Sequence, residues 1–139
     1  MPEAATSPGV RAALLLGAAL LLLAGLGRVG AWAPDEPRYL QVAEEMRSLR
    51  HGRAGLVLPH LNDRPYDQKP PLYFWLAALA GGPGGRVSET AARLPSALAG
   101  LACVALTLSL GTRLFGGRAG VLGALALAES AAMPPTLHA

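Results

Sequence analysis

Leu94-Pro95-Ser96-Ala97-Leu98-Ala99-Gly100-Leu101-Ala102-Cys103-Val104-Ala105-Leu106-Thr107-Leu108-Ser109-Leu110-Gly111-Thr112 is an apolar run without a single charge. At about 1.5 Å per residue, a helix of this length covers roughly 28 Å, close to the hydrocarbon thickness of a bilayer. Pro95 is expected in the first turn, where its missing N–H does little harm. Cys103, the chain's single cysteine, lies within the run, cannot form an internal disulfide and reads as inert packing. Working outward, Ala12 to Gly27 forms an earlier run between Arg11 and Arg28. Arg28 can snorkel, and Val29 to Ala33 extend the run with Trp32 at interface level. Ala119 to Ala128 opens a third run that continues toward the C-terminus. These runs predict an all-α integral membrane protein with three transmembrane helices, the third truncated.

Composition agrees. Of 139 residues, 52% are hydrophobic and only 15% charged, against about 25% charged in a soluble domain. The formal net charge is +3 and the basic residues are scattered. There is no basic stripe of the kind that binds nucleic acid. P-loop, dinucleotide and nucleophile motifs are absent from the sequence.

Arg113 and Arg118 lie in the short connection 113–118, which holds no acid. The positive-inside rule therefore assigns it to the cytoplasm, with Arg11 and the N-terminus on the same side. Residues 1–33 then form the cytoplasmic N-terminus and first span. Residues 34–93 form an outward-facing loop, toward periplasm or exterior, 94–112 the second span and 119–139 the third. A cleaved signal peptide is the alternative for the first run, since Ala31-Trp32-Ala33 resembles a cleavage site, but Pro34 directly after it is unfavourable.

Within the outward loop, Asp35 or Glu36 is placed to cap a helix over about 37–50, with Pro37 at its first position. Tyr39, Val42, Ala43, Met46 and Leu49 recur at helical spacing, while Arg38, Gln41, Glu44, Glu45 and Arg47 fall mostly on other faces. An extended, turn-rich stretch follows from Leu56 to Pro71, containing Asn62-Asp63. Pro71 to Ala80 is apolar and aromatic but too short to cross, and Gly81-Gly82-Pro83-Gly84-Gly85 ends it. It reads as a second helix, about 71–80, lying in the interface, with a re-entrant or fully crossing helix as the alternative.

This loop concentrates the ionisable residues. Asp35 and Glu36 stand where the chain leaves the bilayer, and a carboxylate there can act as general base on an acceptor hydroxyl or simply cap a helix. Asp35 and Tyr39, four residues apart, share a side. Lys69, before Pro70 and Pro71, can hold a phosphate as a point charge or serve as a snorkelling anchor. Tyr66 and Tyr73 can hydrogen-bond a phosphate or sugar, or anchor the chain in the aromatic belt. The sequence commits to no cofactor. A divalent metal at His60 with Asp63 or Asp67 is the alternative, and that spacing matches no strong ligand pattern. His51 and His138 read as solvated residues, and Glu129 as an acid near the outer end of its span. Gly116, Gly120 and Gly123 permit close helix contact.

Five pieces, in order, are Asp35-Glu36-Pro37-Arg38-Tyr39, Leu61-Asn62-Asp63-Arg64-Pro65-Tyr66, Lys69-Pro70-Pro71-Leu72-Tyr73-Phe74-Trp75, Ala91-Ala92-Arg93-Leu94-Pro95-Ser96-Ala97-Leu98-Ala99-Gly100 and Arg113-Leu114-Phe115-Gly116. With them the chain resembles the amino-terminal part of the aminoarabinose transferase and protein O-mannosyltransferase superfamily, polytopic glycosyltransferases of the GT-C type. The resemblance implies inverting transfer of a sugar from a polyprenyl-phosphate carrier to a lipid, glycan or protein acceptor outside the cytoplasm, at the inner (plasma) membrane. It implies Asp35 as catalytic acid/base or acceptor-orienting carboxylate, Glu36 as its companion and Tyr39 as a hydrogen-bonding partner. Lys69, with Tyr66, would hold the carrier phosphate.

Two departures stand out. Some relatives place a metal-binding acid immediately before the lysine, where this chain has Gln68. Relatives also continue through further spans to a second acidic site, which residues 131–139 do not match. The chain therefore reads as a fragment, truncated product or degenerate copy. The rival reading is a small non-catalytic membrane protein whose outward loop packs or binds a partner.

Overall fold

The computed structural model describes residues 7–24, 26–27, 35–81 and 86–132. The expectations for Arg28, Val29 to Ala33, Trp32, the Ala31-Trp32-Ala33 cleavage motif, residues 82–85 and His138 lie outside these residues. The described elements run α1 (Pro8–Leu23), α2 (Asp35–Arg47), α3 (Ala54–Val57), β1 (His60–Leu61), β2 (Arg64–Pro65), α4 (Leu72–Ala80), α5 (Glu89–Phe115) and α6 (Gly117–Ala132). By contacts the chain divides into one unit of Met1–Gly25 with Ala97–Ala139 and another of Leu26–Ser96. The division falls within α5, directly after Pro95 and Ser96.

The first unit is helical. Ser7 caps α1 with its side chain accepting from the Val10 N–H, and Pro8 opens the helix. The helix thus spans Pro8–Leu23, not the predicted Ala12 to Gly27, because the Ser-Pro start signal precedes the apolar run. Ala18, Val104, Leu108, Ala124 and Ala128 form the buried cluster. Three alanines lie inside with Val104 and Leu108, while Leu16, Leu20, Leu106, Leu110 and Leu122 are exposed. Alanine at the contact lets backbones approach, and leucine on the outer face suits lipid chains. α5 is the only described helix long and apolar enough to cross a membrane. α1 and α6 have 16 residues each, about 24 Å of helix, so of the three predicted spans one meets the length criterion.

α5 starts at Glu89 and ends at Phe115, outside the predicted 94–112 on both sides. Pro95 accordingly lies inside the helix, past the first turn. It can give no N–H to the carbonyl of Ala91, and the neighbouring carbonyl, Ala92, accepts the Tyr73 hydroxyl at 2.9 Å. Gly116, at φ +93°, ends α5 and lets α6 begin at Gly117. α6 therefore starts earlier than the predicted Ala119.

The second unit packs α2 on α4. Val42, Met46, Tyr66 and Phe74 form one buried cluster, and Ala43, Ala77, Val87, Ala91 and Ala92 another. Complete burial of Phe74 contributes about 2–3 kcal/mol. α2 runs Asp35–Arg47, not 37–50. Asp35 and Glu36 are therefore residues of its first turn, not caps, and Pro37 follows them. α4 matches the predicted helix to one residue. Among the described residues the helical class has one exception. The stretch predicted only as turn-rich folds into an antiparallel hairpin, His60 opposite Pro65 and Leu61 opposite Arg64. Asn62 and Asp63 form its turn at φ +55° and +61°, the left-handed pair that a type I′ hairpin turn demands.

The polar face of α2 does not simply face solvent. Glu44 accepts the Val87 N–H at 2.9 Å, and Arg47 donates to the Gly81 carbonyl at 3.0 Å. Glu45 accepts the Asn62 and Asp63 N–H groups at 2.7 and 3.2 Å. The charged face thus ties down the loops around α4.

Candidate functional site

A cavity of about 600 Å³ opens in the second unit beside the start of α2 and the start of α4. Its chemistry comes from Glu36, Tyr39, Lys69, Tyr73 and Arg93. Tyr39 and Tyr73 meet edge to face at 5.7 Å between ring centres, and Tyr39 meets Phe74 likewise at 5.9 Å. Burial pushes the Tyr73 phenol above its ordinary value, with the negative charge of Glu36 adding to the effect. Tyr73 therefore remains a neutral donor, matching its bond to Ala92. Lys69 is exposed at the cavity's edge, where Pro70 and Pro71 restrict the backbone.

Glu36 and Arg93 form a forked ion pair at the cavity wall. The guanidinium donates twice to the carboxylate, at 2.9 and 2.7 Å, and once to the Leu26 carbonyl at 2.8 Å. Such forked pairing is among the stronger charged contacts. Arg93 stands in the sequence motif but carried no assigned role there. The signal is a lone arginine at the border of an apolar run.

The predicted site residues are distributed unequally. Glu36, Tyr39 and Lys69 line the cavity. Asp35 is exposed beside it in sequence, 3.4 Å from the Arg38 guanidinium, and does not appear in the lining. Tyr66 is buried, edge to face with Phe74 at 6.0 Å. Its ring belongs to the core, and it too is absent from the lining.

His60, read as a metal candidate with Asp63 or Asp67, instead stacks on His51 at 3.8 Å. His51, expected to be solvated, is three-quarters buried, with Nε2 3.3 Å from an Asp63 oxygen. Glu45, His51 and Asp63 bring ligand atoms within 4.8 Å of one another. The Glu45 oxygens are engaged by the turn N–H groups, and Arg50 reaches Asp63 at 3.2 Å. At the position where some relatives bind a metal, Gln68 offers only a neutral amide oxygen. The residues present do not make that metal site.

The class these features define is a mostly helical protein with one helix long and apolar enough to cross a membrane, and with a tyrosine-lined cavity that carries Lys69, Glu36 and Arg93 in its second unit. The comparisons show what part of the chain is similar to. Residues 68–135 match the family described as dolichyl-phosphate-mannose-protein mannosyltransferase. Three similar relatives are each an undecaprenyl phosphate-alpha-4-amino-4-deoxy-L-arabinose arabinosyl transferase. That of Pseudomonas savastanoi pv. phaseolicola is 47% identical over 68 residues, covering 48% of this chain and 12% of the relative. That of an Enterobacter species is 37% identical over 67 residues, 48% of this chain and 11% of the relative. That of Pectobacterium carotovorum is 40% identical over 58 residues, 42% of this chain and 10% of the relative. No solved structure matches the chain. The resemblance to the aminoarabinose transferase and protein O-mannosyltransferase superfamily therefore holds over about half of the chain. Lys69, Tyr73 and Arg93 lie within the family match, and Asp35, Glu36, Tyr39 and Tyr66 precede it.

Proposed function

We propose that the chain supplies the carrier-phosphate pocket of a membrane glycosyltransferase that uses a polyprenyl-phosphate-linked sugar. The observation that carries this reading is the cavity in which Lys69 stands beside Tyr39 and Tyr73. An ammonium at the mouth and tyrosines on the wall suit a phosphate ester whose hydrocarbon tail remains in lipid. Exposed Leu72, Trp75, Leu76 and Leu79 on α4 suit the boundary between headgroups and acyl chains. The relatives' names, which specify undecaprenyl-phosphate-linked sugars, support the same class of donor.

In the transfer step, an acceptor hydroxyl oxygen forms a bond to the sugar's anomeric carbon. The bond from that carbon to the carrier phosphate oxygen breaks, and polyprenyl phosphate leaves with the electron pair. The hydroxyl proton goes to a carboxylate. Asp35 is assigned that role because it is exposed at the start of α2, whereas Glu36 is engaged by Arg93. Lys69 stabilises the charge that develops on the leaving phosphate. In this reading the loop 34–93 faces periplasm or exterior, and the charge asymmetry of the short loop 113–118 supports that orientation.

The test is direct binding. The chain, reconstituted in nanodiscs of a zwitterionic phospholipid, is titrated with undecaprenyl phosphate and with undecaprenol. Preference for the phosphate that falls at least fivefold in Lys69→Met supports the reading. Equal binding of phosphate and alcohol overturns it.

A further inference from the structure

The pairing of Glu36 with Arg93 has an electrostatic consequence for the cavity both residues line. Among the cavity-lining residues the charged groups are Lys69, Arg93 and Glu36, so the lining is formally cationic by one charge. Glu36 is an acid at the wall of a pocket meant for an anion. Left alone, it would repel a phosphate and cancel Lys69. Arg93 holds both carboxylate oxygens at 2.9 and 2.7 Å, and its third bond, to the Leu26 carbonyl, fixes the guanidinium in place. Both side chains are largely shielded from solvent, with relative exposures of 18% for Arg93 and 35% for Glu36, so water screens this pair less than a surface pair.

We propose that Arg93 sets the anion affinity of the cavity by masking the charge of Glu36, acting as a positioning residue and not as a phosphate ligand. This inference rests on the reading of the cavity as a phosphate site. It differs from a purely structural role in one respect, because it predicts how affinity depends on charge and not on the bond. Removing Arg93 leaves Lys69 and Glu36, a neutral lining. Removing the Glu36 charge leaves two cations. Removing both returns the lining to a single cation, the native value, although the ion pair itself is gone.

The experiment is a double-mutant cycle on undecaprenyl phosphate binding to the whole chain in zwitterionic nanodiscs, with undecaprenol as the uncharged control. Circular dichroism and thermal unfolding check each variant's fold. Arg93→Gln is expected to weaken phosphate binding roughly five- to tenfold, the scale of one partly screened charge nearby. Glu36→Gln should tighten it, Arg93→Lys should stay within about twofold of the native chain, and Arg93→Gln with Glu36→Gln should return to within about twofold. A double variant as weak as Arg93→Gln overturns the proposal, because Arg93 would then be touching the phosphate itself or holding the backbone. Weaker binding by Glu36→Gln also overturns it, and this arm remains decisive if Arg93→Gln does not fold. A native chain that does not distinguish phosphate from alcohol fails at the earlier step and overturns the proposed function instead.

Discussion

The Glu45 carboxylate and the Asn62 backbone N–H lie 2.7 Å apart, and this bond joins helix α2 of the loop unit to the tip of its hairpin. The other Glu45 oxygen takes the Asp63 N–H at 3.2 Å. One carboxylate thus satisfies both donors of a turn whose two residues are held at positive φ. Glu45→Ala leaves those donors to water and is expected to destabilise the unit by about 1–3 kcal/mol. Hydrogen exchange should show the amides of Asn62 and Asp63 exchanging faster than in the native chain, with α1 and α6 unaffected. Unchanged protection at the turn would count against this account.

Tyr73 gives a spectroscopic prediction. The chain has three tyrosines, and among the described residues Tyr73 has its phenol pushed above the ordinary value by burial first and by Glu36 second. The folded state therefore holds this proton more tightly than the unfolded state. The stability it contributes is complete below the unfolded tyrosine value, near pH 10, and is lost as pH rises through the higher folded value. An absorbance titration at alkaline pH should show a late-ionising tyrosine, and Tyr73→Phe should remove that late phase. A titration in which Tyr73→Phe removes an early-ionising tyrosine would contradict the burial.

How much of this was legible beforehand varies with the kind of signal. The uncharged run 94–112 announced α5 because a long apolar stretch has few other stable forms, and its true ends lay in capping and turn residues the run does not include. The α2 stripe of Val42, Ala43 and Met46 was readable from periodicity, and those three residues are buried. What periodicity missed was the work of the opposite face. Glu44, Glu45 and Arg47 read only as residues off the apolar face, because their partners are the backbone of Val87, Asn62, Asp63 and Gly81, and backbone groups leave no mark in side-chain pattern. The hairpin was missed for a related reason: its strands are two residues each, too short to alternate. For the site, Lys69 was read as a phosphate holder or a snorkelling anchor and Tyr39 took its role from the family resemblance; both line the cavity. Tyr66 has the same side chain as Tyr39 but is buried against Phe74, a difference set by packing between elements far apart in sequence.

The helical unit can be tested at a single glycine. A Cβ added at Gly120 on α6 would run into Thr112, both its backbone and its hydroxyl, and one added at Gly111 on α5 would come 2.8 Å from the Gly120 Cα. The Thr112 hydroxyl is itself held to the Leu108 carbonyl at 2.6 Å. There is no flexible side chain end to move aside, so Gly120→Val must push the two helices apart. The expected cost is about 1–3 kcal/mol, as for overpacking generally, and Gly123→Ala, where a Cβ meets only the Thr107 methyl at 3.4 Å, should cost clearly less. Unfolding in mixed detergent, followed by circular dichroism, measures both. Equal stability of Gly120→Val and the native chain would rule out the close approach of α5 and α6.

The proposed orientation is open to direct labelling. Arg53 is exposed in the loop unit, and the charge rule assigns that unit to the side opposite Arg113 and Arg118. In a chain carrying Cys103→Ser, which removes the only native thiol, Arg53→Cys should react with a membrane-impermeant maleimide added to intact spheroplasts. Arg118→Cys in the same background should react only after the membrane is broken. The reverse pattern would put Lys69 and its cavity in the cytoplasm, on the wrong side for transfer to an external acceptor. Because the labelling depends on neither catalysis nor donor binding, it tests the sidedness of the pocket separately from its chemistry.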